Sequence, residues 1–283
     1  MGGVPVEGVI WFFYLRLKNE AITMRAASIA YRFFFALFPA LIVFFSIIPY
    51  IPVQNMQVEL LNLLKEFLPK AAYETIQFTV TDIVLKRRTA LLSFSFILTV
   101  YFASLAIISL FNAFNTQKKM KLWKTYLISF ALVFIIAFSL IFTILLQITG
   151  EYVIWYLKFV RFIPVTWITT LIWWFKFLTT LFLSLTTISI LYYFGTVKPD
   201  RQNFYSPGAF LATLLILITS YGFGFYIENF GQYNMLYGSL GALIVLMMWI
   251  YLNAFGLIVG YEFNQGLIAA RNKANHDKEN HSD

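Results

Sequence analysis

Charged residues divide this chain into long apolar runs. No Asp, Glu, Lys or Arg lies between Arg32 and Glu59, Arg88 and Lys118, or Lys124 and Glu151. The same holds between Lys176 and Lys198, Arg201 and Glu228, and Glu228 and Glu262. Each gap exceeds the roughly 20 apolar residues that carry a helix across a bilayer core of about 30 Å. A shorter gap, Arg161 to Lys176, joins the next into one segment with a lysine inside. The pattern predicts six spanning helices, at residues 30–52, 89–114, 125–149, 167–194, 207–228 and 239–264. The expected fold class is all-α: a polytopic integral membrane protein with six transmembrane helices and interfacial amphipathic helices, in one domain over residues 1–283.

Two segments mix polar and apolar residues and are expected to lie on the membrane. The first is an N-terminal interfacial helix within residues 1–28, where Trp11, Phe12, Phe13 and Leu15 alternate with Arg16, Lys18 and Glu20. The second is the external connection 53–88. Its apolar residues Val58, Leu60, Leu61, Leu63, Leu64, Phe67 and Leu68 recur at helical period beside Glu59, Lys65, Glu66 and Lys70, with Pro69 as an interruption. It reads as two amphipathic helices on the outer surface or as a lid over a cavity. Residues 267–283 read as a polar cytoplasmic tail.

Composition agrees with a membrane solvent. The chain is 60% hydrophobic, 20% aromatic and 12% charged, with a mean hydropathy of +0.75, against about 25% charged in soluble domains. No cleavable signal peptide is expected, because Arg16, Lys18 and Arg25 follow the Val9–Leu15 run instead of preceding it. Lysine and arginine set the orientation. With both termini in the cytoplasm, the inner side holds Arg16, Lys18, Arg25, Arg32, Lys118, Lys119, Lys121, Lys124, Lys198, Arg201, Arg271, Lys273 and Lys278. The outer side holds the smaller group of Lys65, Lys70, Lys86, Arg87, Arg88, Lys158 and Arg161, so the bias favours termini inside. The Lys86-Arg87-Arg88 cluster opposes it. The net charge of +8 then reads as a membrane-surface bias. No solvated basic domain remains for nucleic acid.

Several chemistries have no residues to carry them. The chain has no cysteine, and its two histidines, His276 and His281, lie in the polar tail. No metal site, cofactor or catalytic residue is expected. There is no phosphate-binding Gly-x-x-x-x-Gly-Lys loop, so no nucleotide motor. What remains are polar groups at membrane depth, which are costly and usually have a reason. Arg25, Ser28 and Arg32 fall on one helical face, as lipid-headgroup contacts at the membrane surface or as a basic patch that grips an anionic headgroup. Pro39 is expected to kink the same helix. Lys176, about 13 Å into the fourth span, shares a face with Thr180, Ser184 and Thr187. That stripe suits a hydrated cavity or a hydrogen-bonded seam between helices, and outward snorkelling of Lys176 is the alternative. In the last span Asn253, Gly256, Gly260 and Asn264 share a face, and Gly256-x-x-x-Gly260 allows close packing. Glu262 is placed to pair with an arginine of the first span.

The chain resembles the YihY/virulence factor BrkB family of bacterial inner-membrane proteins. The resemblance rests on Arg25-Ala26-Ala27-Ser28-Ile29-Ala30-Tyr31 with Leu37-Phe38-Pro39, on Tyr192-Tyr193, Pro199-Asp200 and Pro207-Gly208-Ala209, and on Tyr237-Gly238-Ser239-Leu240-Gly241-Ala242. Trp249-Ile250-Tyr251 and Gly260-Tyr261-Glu262-Phe263-Asn264 complete it, in order along nearly the whole chain. Gly238 and Gly241 join Gly256 and Gly260 as candidate hinge or packing positions. The chain departs from the family at Arg32-Phe33-Phe34-Phe35 and at Tyr261, where alanine is usual. The resemblance implies six spans and an inner-membrane location. It also implies a link to serum resistance and to lipid or lipopolysaccharide precursor traffic. An older label for the family is a tRNA-processing ribonuclease, and the missing ligand cluster argues against it.

Three functions compete. A transporter or flippase-like facilitator of an anionic amphiphile such as a lipid leads. A non-transporting scaffold for envelope assembly follows, and a membrane-embedded enzyme has least support. The expected candidates for substrate contact are Arg25, Ser28, Arg32, Lys176, Thr180, Ser184, Asn253, Glu262 and Asn264. The expected partners are membrane lipids and no nucleic acid; homo-oligomers and envelope-assembly partners stay open.

Overall fold

Every regular element among the described residues is helical. The computed structural model describes residues 11, 13–15, 21–50, 70–115, 121–159, 165–196, 203–229 and 239–279. The elements are α1 (Ala21–Ile47), a short 3-10 turn (Ile48–Tyr50), α2 (Lys70–Leu85), α3 (Thr89–Phe114), α4 (Leu122–Phe159), α5 (Val165–Gly195), α6 (Pro207–Asn229) and α7 (Ser239–Glu279). All but α2 and the turn are long and apolar enough to cross a membrane, which makes six candidate spans. Lipid offers the backbone no hydrogen bonds, so an apolar run of this length closes its own as a helix.

Two boundaries differ from the sequence expectation. Helix α1 begins at Ala21, so residues 21–28 form its first two turns and not a separate interfacial helix. The reason is packing: Ile22, Ala26 and Ile29 form a buried stripe, and nothing before Pro39 interrupts the helix. Pro39 lies inside α1 and is buried. At the other end of the chain, α7 is 41 residues long and continues through the polar segment to Glu279. Ala269, Ala270, Arg271, Lys273 and Ala274 are strong helix formers and propagate it beyond the apolar run. Of the two expected external helices, α2 is present. Val58–Leu68, Pro69 and Gly238 lie outside the described residues.

The spans form a closed ring in chain order. α1 packs on α3, α3 on α4, α4 on α5, α5 on α6, α6 on α7, and α7 returns to α1. The ring is not equally tight along its length. At the end where α1, α4 and α6 begin and α3, α5 and α7 finish, one apolar core joins all six helices. Ile29, Leu110, Phe111, Leu132, Tyr192, Ala212 and Ile258 are its deepest residues. We call this the sealed end. Towards the opposite end the packing loosens. No described residue of α4 beyond Leu132 is buried, none of α5 before Leu185, and none of α6 after Thr213. The helices still touch there, since a Cβ added at Gly150 of α4 would strike the Phe175 ring of α5 and the Phe223 ring of α6 lies 6.4 Å from that of Trp249 on α7. No described side chain of these stretches is enclosed on all sides, so three adjacent spans form a less enclosed half.

At that open end α2 rests on α1. Val80 and Val84 pack with Ile48 and Phe45. Arg87 donates from Nε to the Pro49 carbonyl at 3.0 Å and lies 5.5 Å from the Tyr50 ring. Asp82 binds Lys86 at 2.7 Å and also Arg88. The Lys86 hydrogen bond, helped by the charge of Arg88, holds the Asp82 carboxyl below its ordinary range, against a smaller effect of burial. A depressed carboxyl contributes while ionised, so this cluster weakens only as pH falls below the usual carboxylate range.

The closest helix contact is between α6 and α7. A Cβ added at Gly208 would strike the Gly260 carbonyl oxygen. One added at Gly260 would fall 2.7 Å from both the Ala212 Cβ and the Tyr192 hydroxyl. At Gly256 the nearest atom would be the Leu215 Cβ, at 3.4 Å. The two glycines of the Gly-x-x-x-Gly pair are thus unequal. Gly260→Ala is expected to destabilise the protein by about 2 kcal/mol, as overpacking does, and Gly256→Ala by much less. Thermal unfolding of the two variants in the same detergent checks this, and equal losses would contradict the geometry.

Candidate functional site

The two arginines of α1 do not stand in open solvent. They form a ladder with α3, the neighbouring antiparallel helix. Arg25 donates from Nη1 to the Ala113 carbonyl at 2.6 Å. One turn on, the hydroxyls of Ser28 and Ser109 meet at 3.2 Å. Another turn on, Arg32 donates from Nη1 to the Leu105 carbonyl at 3.3 Å. The spacing i, i+3, i+7 on α1 meets i, i−4, i−8 on α3, so one polar face lies along the other. Arg25 also donates from Nε to the Ala21 carbonyl at 3.2 Å, bracing its own first turn.

Glu262 of α7 completes the first rung. Its Oε1 lies 2.9 Å from Arg25 Nη1, with only 14% and 7% of the two side chains exposed. A buried ion pair of this kind costs desolvation, and losing one partner leaves a buried charge. One guanidinium therefore ties α1, α3 and α7 together.

An aromatic cluster lies beside this junction. Phe114 of α3 and Tyr261 of α7 stack at 4.3 Å and 13°. Tyr192 of α5 meets them edge-on at 5.3 Å and 5.7 Å. Its hydroxyl donates to the Leu257 carbonyl at 2.6 Å, which satisfies the one polar atom of a side chain only 1% exposed. The remaining contact is a helix cap. Ser206 and Pro207 open α6 as N-cap and first helical residue. The Ser206 hydroxyl accepts from the Ala209 N–H at 3.3 Å and from Asn264 Nδ2 at 2.7 Å. Asn264 Oδ1 in turn accepts from the Gly208 N–H at 2.7 Å. The buried Asn264 amide is thus occupied in holding α6 against α7.

The chain matches the virulence factor BrkB family over residues 13–283. It belongs to that family. It is 28% identical to the ribonuclease-like protein YfkH of Bacillus subtilis over 245 residues, 85% of this chain and 88% of that one. It is 26% identical over 274 residues to a UPF0761 membrane protein of Xanthomonas campestris pv. campestris and to another of Xanthomonas axonopodis pv. citri. There the alignment takes in 92% of this chain but only 60% and 61% of the relatives. No solved structure matches the chain.

Several of the segments that carry the BrkB resemblance meet at the sealed end. Arg25 to Ala30, Tyr192, Pro207-Gly208-Ala209 and Gly260 to Asn264 supply the ladder, the aromatic cluster, the glycine contact and the cap. Tyr261, one of the positions expected to depart from the family pattern, stacks on Phe114. Pro199-Asp200 and Tyr237-Gly238 lie outside the described residues, and Gly241 is buried within α7.

The polar stripe of α5 resolves as a seam. Gln147 of α4 donates to the Thr180 hydroxyl at 3.2 Å, and Ser139 meets Thr187 at 3.2 Å. Lys176 and Ser184 share that helical face by spacing alone. In α7, Asn253 donates from Nδ2 to the Trp249 carbonyl at 2.8 Å, and its Oδ1 is buried with no hydrogen-bond partner among the described residues. Those two groups do not join the sealed-end cluster. Sequence reasoning missed Tyr192, Ser206 and Ser109 as participants. Ser206-Pro207-Gly208 was a readable helix start, whereas Ser109 carries no local signal.

The ladder register is open to a direct check, because the chain is free of cysteine. The double variant Ser28→Cys/Ser109→Cys is expected to form a disulfide under mild oxidation, since side-chain tips at this separation allow the bond geometry. Failure of the folded variant to cross-link would refute the α1–α3 register.

Proposed function

We propose that this protein binds anionic amphiphiles, membrane lipids foremost, and lets them pass between the leaflets of the bacterial cytoplasmic membrane without an energy source of its own. The observation that carries this reading is the unequal packing of the ring. A dense end sealed by Arg25, Glu262 and the Phe114–Tyr261–Tyr192 cluster continues into a half where no described side chain of α4, α5 or α6 is buried. Helices with open flanks offer lateral room for acyl chains, and guanidinium groups attract the headgroup in a medium where charge is poorly screened. A scaffold would need neither the open half nor Arg32, which has no carboxylate partner among the described residues.

The reading assigns no catalytic role and no nucleic-acid partner to the chain. It has no cysteine and only two histidines. Nuclease action through a metal needs a ligand cluster.

The same reading places both termini and the sealed end in the cytoplasm, by the lysine and arginine bias. The cluster that runs against this bias opposes it less than its formal charge suggests, since Asp82 pairs with Lys86 and Arg88. Single cysteines test the orientation in intact cells. Phe78→Cys, at a residue 85% exposed on α2, should react with a membrane-impermeant maleimide, and Lys273→Cys on α7 should not. The opposite pattern would invert the orientation.

Transport is tested in liposomes. Purified protein should speed the movement of a fluorescent phosphatidylglycerol between leaflets relative to protein-free liposomes, and phosphatidylcholine less so. A rate equal to that of empty liposomes for both lipids would favour the scaffold.

A further inference from the structure

The α1–α3 ladder carries more positive charge than its described neighbours offset. Arg25 has Glu262, but its Nη2 makes no hydrogen bond to a described residue. Arg32 has one hydrogen bond, to a backbone carbonyl, and no carboxylate partner among the described residues. It lies about 10 Å further along α1 than Arg25, on the same face. It is well inside the candidate span Ala21–Tyr50 and only partly buried. A guanidinium at membrane depth is costly unless it meets water or an anion.

We propose that Arg25 and Arg32 form a two-station site for the phosphate of an anionic lipid headgroup, and that Glu262 is a built-in competitor holding the first station while no lipid is bound. This deepens the amphiphile reading above and rests on it. Carboxylate and phosphate both match the donor fork of arginine. Glu262 engages Nη1 and leaves Nη2 to receive an incoming phosphate oxygen before the carboxylate lets go. Arg32 is then the next cation on the same face. Two anions compete for Arg25, so removing the charge of Glu262 strengthens binding. A merely structural ion pair predicts no such gain.

The test is a binding titration of the purified full-length protein in neutral detergent, followed by native mass spectrometry. The probes are phosphatidylglycerol, phosphatidylcholine and inorganic phosphate. Glu262→Gln is expected to bind phosphatidylglycerol about tenfold tighter, and Arg25→Gln and Arg32→Gln each about tenfold more weakly, with phosphatidylcholine unchanged. Unchanged affinity in Glu262→Gln overturns the competitor role, and unchanged affinity in Arg32→Gln overturns the second station. Should Glu262→Gln fail to fold, Glu262→Asp, which withdraws the carboxylate by one methylene, is expected to show a smaller gain; no gain there overturns the competitor role equally. Displacement of phosphatidylglycerol by inorganic phosphate at equal concentration overturns the lipid assignment in favour of a free anion. The expected shifts without lipid movement in wild-type liposomes would remove the facilitator reading and keep the site. Lipid movement with none of these shifts would do the reverse.

Discussion

Arg25 is the point on which the sealed end depends. Its guanidinium reaches the Ala113 carbonyl of α3, Glu262 of α7 and the Ala21 carbonyl of its own helix. Inside a bilayer, helices gain nothing from hiding apolar surface, because lipid is as apolar as they are. Polar contacts and close packing must supply the attraction. One arginine that satisfies groups on three helices does so at the end of the ring where all six spans are joined by buried side chains.

The α6–α7 contact works by a different means. Gly208 and Gly260 bring two backbones together, and the Asn264 amide closes the start of α6 across the gap. Close backbone approach gains dispersion contacts that larger residues would prevent. The N-cap network meets a further need, since the first N–H groups of a helix otherwise stay unsatisfied. Beside them Tyr192 fills the space over Gly260 and spends its hydroxyl on the Leu257 carbonyl. The ladder, the aromatic cluster and the cap are thus parts of one cluster.

The opposite half lacks these devices. Helices α4 and α5 meet there through the Ser139–Thr187 and Gln147–Thr180 contacts and through the Phe175 ring lying close over Gly150. Neutral hydrogen bonds of this kind contribute about 0.6 kcal/mol each in membranes. A weakly bonded seam is easier to part than the sealed end. This difference in cohesion gives the proposed lipid path a direction: entry and lateral exit through the loose half, control at the arginine ladder.

The positions of charge along the chain were enough to count the spans, because crossing a bilayer sets a length and forbids most charges over it. They were also enough to place Arg25, Ser28 and Arg32 on one face and to bring Glu262 within reach of α1, since helical period is a local property. Which faces meet was not legible. Helices α3 and α6 carry no charge within the span, and α5 has a polar stripe but little amphipathic contrast, so no clear polar–apolar division marks the face turned to a neighbour. The α5 stripe therefore read equally well as a cavity wall or as a seam until α4 was seen to supply Gln147 and Ser139. Asn264 looked like a ligand-binding group because its partner, the start of α6, lies more than fifty residues away in the chain. The tight end, the loose half and the unequal glycines follow from contacts between distant residues, which only the tertiary structure decides.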